Sequence, residues 1–156
     1  MSRKIVVLAA FVASLSFCGT AMSEDKLRVM LKGHDPIAYF TDGKPVKGNQ
    51  KISYDWDDGR YYFASSEHRT MFASNPDRYA PQFGGYCTGS MSRGETGNEA
   101  NPEAWMIADG KLYVFGAPDD ATAAAVKRDY KQLAERDPVL FAAKLGAADK
   151  FWQERK

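Results

Sequence analysis

The chain is poor in the residues that most often carry chemistry. It holds two cysteines and two histidines among 156 residues. No Cys-x-x-Cys pair, oxyanion motif, nucleotide-binding loop or pair of catalytic carboxylates can be picked out, and this argues against an enzyme. Net charge is also lacking, with 21 basic against 20 acidic residues. A nearly neutral domain has no electrostatic case for nucleic acid or an anionic membrane. The longest apolar run, Ile5 to Phe17, falls short of the roughly 20 residues a membrane span needs.

That run follows Arg3 and Lys4 and precedes small residues at Gly19-Thr20-Ala21 and Ala21-Met22-Ser23, the pattern of a cleaved signal peptide over residues 1–23. A single domain over 24–156 then remains, in the periplasm or secreted. Its removal carries the net charge from +1 to −1, because the leader holds two bases and no acid. Leu15-Ser16-Phe17-Cys18 offers a competing lipoprotein reading, but Phe17 is bulky where that processing requires a small residue. Cleavage leaves Cys87 as an odd thiol with no partner for a disulfide, and burial as a small hydrophobe is its plainest explanation.

Along the domain, Leu27, Val29 and Leu31 alternate as a strand would, and Ile37 to Phe40 resumes the run after Gly33-His34-Asp35-Pro36. Asp58-Gly59 predicts a two-residue hairpin turn pairing Asp57 with Arg60, Trp56 with Tyr61 and Tyr54 with Phe63. Ile52, Tyr54, Trp56, Tyr61 and Phe63 then share the inward face. Ser65 or Ser66 caps a helix that ends at Asn75-Pro76, with His68, Met71 and Phe72 on one side. Residues 81–102 are glycine-rich and aperiodic, which marks a functional or mobile stretch. A second hairpin spans Trp105 to Phe115, turning on Asp109-Gly110. Two helices close the chain, capped by Asp119 or Asp120 and by Asp137 before Pro138; the first carries Ala123, Val126, Tyr130 and Leu133 on one face. No internal repeat is legible, because the three Asp-Gly turns have unlike flanks. The expected class is α+β, a small antiparallel sheet of hairpins with helices packed on one side.

Gly33-His34-Asp35-Pro36-Ile37-Ala38-Tyr39-Phe40, Tyr62-Phe63-Ala64-Ser65, Asn75-Pro76-Asp77-Arg78-Tyr79 and Phe83-Gly84-Gly85-Tyr86-Cys87 together resemble the exported YHS-domain proteins. Asn101-Pro102-Glu103-Ala104-Trp105 extends the match, which covers roughly residues 31 to 115; the C-terminal helices are an extension. The wider group is similar to small heavy-metal-binding modules whose cysteines follow the Asp-Pro-hydrophobic motif and recur in a Phe-Cys-Ser-x-x-Cys motif. Here Ala38 and Ala64 stand at two of those positions and His68 at the third. The resemblance therefore implies no thiolate cluster and leaves His68 as the one matching ligand.

Cys87, His68 and His34 are the candidate metal ligands, a set suited to copper or zinc. His68 can equally pack with Met71 and Phe72, and His34 can serve the Asp35-Pro36 turn. Tyr62, on the polar face of its strand, is a candidate for lining a pocket. The expected function is a binding module for a thiophilic metal or small ligand near Cys87 and His68. The alternatives are an interaction or structural module without metal, and a cysteine-dependent enzyme.

Overall fold

A computed structural model describes residues 27–155; the expected leader and Cys18 lie outside these residues. The fold is α+β. Strand β1 (Arg28–Val29) pairs parallel with β3 (Gly59–Phe63), which pairs antiparallel with β2 (Asn49–Trp56). A second, two-stranded sheet joins β4 (Asn101–Ala108) to β5 (Lys111–Phe115). The short helices are α1 (Ala38–Thr41), α3 (Pro76–Tyr79) and α4 (Thr88–Met91). The longer ones are α2 (Ser66–Ser74), α5 (Asp120–Arg136) and α6 (Pro138–Gln153).

The longer helices begin where side chains can take orphan main-chain donors. Ser65 accepts from His68 N, Asp119 from Thr122 N at 2.7 Å and Asp137 from Leu140 N at 2.9 Å, with Pro138 in the first turn. Asp109 and Gly110 both take positive φ, 49° and 73°, as a two-residue turn matched to strand twist demands.

Three local expectations need correction. Leu31 is not part of a strand: β1 ends at Val29, and Leu31, Lys32 and Gly33 form a left-handed turn with φ of 51°, 49° and 78°. Ile37 to Phe40 does not resume a strand but leads into and forms most of α1, because the Asp35 carboxylate accepts Ile37 N at 2.8 Å and starts a helical turn. The first hairpin turns on Asp57-Asp58, one residue earlier than expected, pairing Trp56 with Gly59, Asp55 with Arg60 and Tyr54 with Tyr61. The register thus moves by two residues, which leaves every side chain on its expected face. Gly59 serves close packing instead of the turn: a Cβ there would lie 2.5 Å from Met30 Cγ. The salt bridge of Arg60 is consequently with Asp55, at 2.7 Å.

A fourth correction concerns repetition. The segment 29–64 and the segment 81–116 share much of one hydrogen-bond frame, 52 positions apart. The left-handed turn at Leu31, Lys32 and Gly33 recurs at Phe83, Gly84 and Gly85. The bridge His34–Lys47 recurs as Tyr86–Glu99, and the parallel pair Val29–Arg60 as Pro81–Leu112. Asp35 N donates to Val46 O, and Cys87 N to Asn98 O. Both long strands carry an irregularity after an asparagine, Asn49 or Asn101, whose side chain accepts the main-chain N–H two residues on at 2.9 Å. Each unit ends in a hairpin followed by a helix, α2 or α5.

Each unit has its own core. Tyr61, Phe63 and Phe72 centre the first, with Ile52, Tyr54 and Trp56 against them. Tyr113, Phe115 and Ala123 occupy the second with Ala104, Met106 and Ala108. These strand positions correspond residue for residue. Helix α6 packs against α4 and α5; the short α3, opened like α6 by an Asn or Asp cap and a proline, stands at its place after the first unit.

Candidate functional site

The repeat explains where the candidate residues go. In the first unit the fully buried Asp35 carboxylate sits below the end of β3. It accepts Ile37 N at 2.8 Å, Ala64 N at 2.8 Å and the His68 Nδ1–H at 2.7 Å. His68 projects from the first turn of α2 and keeps 18% side-chain exposure, while Asp35 has none. A buried carboxylate needs such a set of donors, and here the chain supplies all three.

In the second unit Cys87 stands where Asp35 does. Its Sγ accepts Gly116 N at 3.0 Å and Ser90 N at 3.4 Å. Gly116 follows β5 as Ala64 follows β3, and each contact spans 29 residues of chain. Among the described residues no third group donates to the Cys87 sulfur. Ser65 caps α2 directly after Ala64, whereas Gly116 is followed by Ala117 and Pro118 before Asp119 caps α5. The second helix therefore starts two residues later. Thr122, not a histidine, takes the place of His68 in its first turn.

A cleft of about 630 Å³ opens at this position, lined by Cys87, Ser90, Arg93, Asn98, Phe115 and Tyr130 among others. Cys87 is a free thiol and 8% exposed. Tyr130, from α5, stacks on Phe115 with ring centres 3.8 Å apart. Its hydroxyl lies so close to Gly89 that a Cβ there would be 2.4 Å away. Burial, and then the nearby Cys87, push the Tyr130 pKa up, so the hydroxyl stays protonated at neutral pH. Arg93 is turned to Glu95 by two hydrogen bonds of 3.0 and 2.8 Å, which raise its pKa further. Asn98 Nδ2 donates to Ser90 Oγ at 3.0 Å.

His34 and Tyr62 belong elsewhere. His34 Nδ1–H donates to Leu31 O at 2.9 Å and closes the left-handed turn; burial holds its imidazole below the ordinary histidine value. Tyr62 packs its ring on Gly33, whose Cβ would lie 3.1 Å from it, and lines neither this cleft nor the one described next. Among the described residues no three His, Cys, Asp or Glu side chains gather where they could hold a metal ion. His68 and Cys87 hold related seats in different units, so sequence motifs that suggest convergence reflect repetition.

A second cleft, about 780 Å³, separates the first hairpin from α6 and is bordered by Trp56, Tyr86 and Trp152. Arg28 covers the Tyr86 ring at 4.4 Å and donates to Gly84 O, so the chain's own cation occupies that aromatic face.

Sequence reasoning passed over Asp35, Ser90 and Asn98 as site residues and placed Tyr130 in a helical stripe. Asp35 had a signal, an Asp before proline and a helical turn; the others had none that local pattern could raise. Comparison with known proteins gives no match to a family model, a curated protein or a solved structure, and the function must be argued from this geometry.

Proposed function

We propose that the chain is an exported YHS-type binding module that holds a small ligand in the cleft over Cys87 and acts by binding rather than catalysis. The observation that carries this reading is the contrast between the two seats. Asp35 has three donors and is closed over by α2, while Cys87, whose sulfur accepts two main-chain N–H groups, borders open space of a size that suits small ligands. An apolar wall of Phe115, Val126 and Pro118 faces polar groups from Ser90, Asn98 and Glu99, the mixture that fixes orientation in a ligand site. The exported state follows from the leader pattern.

Maleimide labelling of a Cys18→Ser chain tests the reading, since Cys87 is then the one thiol. Native protein is expected to label measurably, more slowly than a free thiol, through the cleft. Resistance until global unfolding would make Cys87 a core residue and remove the ligand site.

A further inference from the structure

The two units stack in a row, and the row ends on a helix whose outer face is apolar. Leu31 and Tyr39 of the first unit share a core with Trp105, Leu112 and Val114, on the outer sheet face of the second hairpin. Their counterparts in the second unit, Phe83 and Met91, share a core with Leu145, Ala148 and Trp152 of α6 instead. Helix α6 therefore closes the row where a third hairpin would stand. Elements that close such rows need a polar outer face. The first hairpin has one, with Asp55 and Arg60 paired across it. Helix α6 does not. Val139, 79% exposed, and Leu140, 45% exposed, are the exposed large hydrophobics among the described residues, and Ala143, Gly146 and Ala147 continue the same open face. We propose that this face is an interface with a second copy of the chain, the two α6 helices packing antiparallel about a two-fold axis at Ala143.

Gly146 carries the argument. Glycine weakens a helix interior, and here neither conformation nor packing within the chain calls for it. It takes no positive φ, and a Cβ added there meets nothing within 4 Å. By contrast, a Cβ at Gly59 or Gly89 would come within 2.5 Å of a neighbouring side chain. A hollow at Gly146 suits a side chain that enters from another molecule.

Helix geometry supplies that side chain. Val139 and Gly146 lie two turns apart on one edge of the face, on either side of Ala143. A two-fold axis at Ala143 sets Val139 of each copy into the hollow at Gly146 of the other, and Leu140 against Ala147. The short side chains at the crossing let the axes approach to the close end of the about 8–10 Å usual for packed helices. Lys150, with 80% side-chain exposure, comes level with the start of the second copy's α6, where Asp137 is exposed. Opposite charges thus flank the apolar centre at both ends. The lining of the Cys87 cleft takes no residue from α6, so this interface and the ligand reading stand or fall separately. One helix face is small against the about 1,200 Å² of a stable complex, and the association is expected to be weak.

Sedimentation velocity from about 10 µM to about 1 mM tests the proposal. A reversible monomer–dimer equilibrium is expected across this range, with concentration-dependent amide shifts centred on residues 139–147 in ¹⁵N-labelled protein. Gly146→Gln improves helix propensity while filling the hollow. It is expected to raise the unfolding midpoint of dilute protein, and to raise the dimer dissociation constant at least about tenfold. Val139→Asp, at an exposed position, is expected to weaken pairing as strongly while the helical circular dichroism stays unchanged. Protein still monomeric at the top of the range overturns the proposal. A dimer that both folded variants leave unchanged places the contact elsewhere and overturns it too. Loss of pairing in only one of the two variants overturns the contact of Val139 with Gly146, and with it the two-fold arrangement.

Discussion

Removing the Asp35 carboxylate is the sharpest test of the frame. Asp35→Ala takes away the acceptor of three hydrogen bonds at 2.7–2.8 Å from a side chain with no exposed surface. Two of the donors are main-chain N–H groups, each costing about 1–3 kcal/mol when left unpaired in the interior. His68 is partly exposed and recovers water for its ring nitrogen, so its loss adds less. With two such donors stranded, a cost of about 2–6 kcal/mol is expected. Cys87→Ala in the matching seat removes a neutral, weaker acceptor with two partners, for about 1–2 kcal/mol. Urea unfolding of both variants, followed by tryptophan fluorescence, gives the comparison if the slope with denaturant stays constant. A double-mutant cycle with His68→Ala should return a coupling of about 1.5–3 kcal/mol for a hydrogen bond to a charged group. If Asp35→Ala costs no more than Cys87→Ala, the carboxylate is not the tie described.

Phe72 has no exposure and meets the rings of Tyr54, Trp56, Tyr61 and Phe63 at 4.6–6.3 Å, so Phe72→Ala should cost about 3–5 kcal/mol in the same assay. A cost below about 1 kcal/mol would mean that α2 does not close the first core. Gly59→Ala should destabilise by about 1–3 kcal/mol through collision with Met30, and Met30→Ala in the same chain should relieve part of that collision. Burial lowers the His34 pKa below its unfolded value near 6.5, so the unfolded chain binds more protons there. Its contribution is present above that pH and is lost as pH falls through the folded pKa. His34→Gln should flatten the fall in unfolding midpoint over that interval, and an unchanged profile would refute the assignment.

Much of the local structure was legible because short-range chemistry determines it. Ser65, Asp119 and Asp137 were readable as caps, and Asp109-Gly110 as a turn, from a few neighbouring residues. The first hairpin slipped in register because Gly59 was needed beneath Met30, a contact 29 residues away in the chain. The α1 turn was missed for a similar reason: its start depends on Asp35, held in place by partners as distant as Ala64 and His68. The repeat was invisible because matching positions share little. Gly33 and Gly85, Asn49 and Asn101, Asp57 and Asp109, Tyr61 and Tyr113, and Phe63 and Phe115 are the identities across the two segments. Backbone hydrogen bonds preserve the frame, and they leave little mark on side-chain identity. The site followed suit: Cys87 and His68 were both singled out, but their relation is one of correspondence instead of contact.

A frame built twice gives the molecule a built-in control and a division of labour. The half around Asp35 satisfies itself and has nothing left to offer, so it can act as keel while the other half changes. Substitutions that would be ruinous to a lone unit become affordable in the second, where α6 lends additional support. Sequence variation should therefore be distributed unequally, with the first half conservative in its polar contacts and the second free to alter what surrounds Cys87. New specificities would then arise by rewriting one copy against an unaltered original.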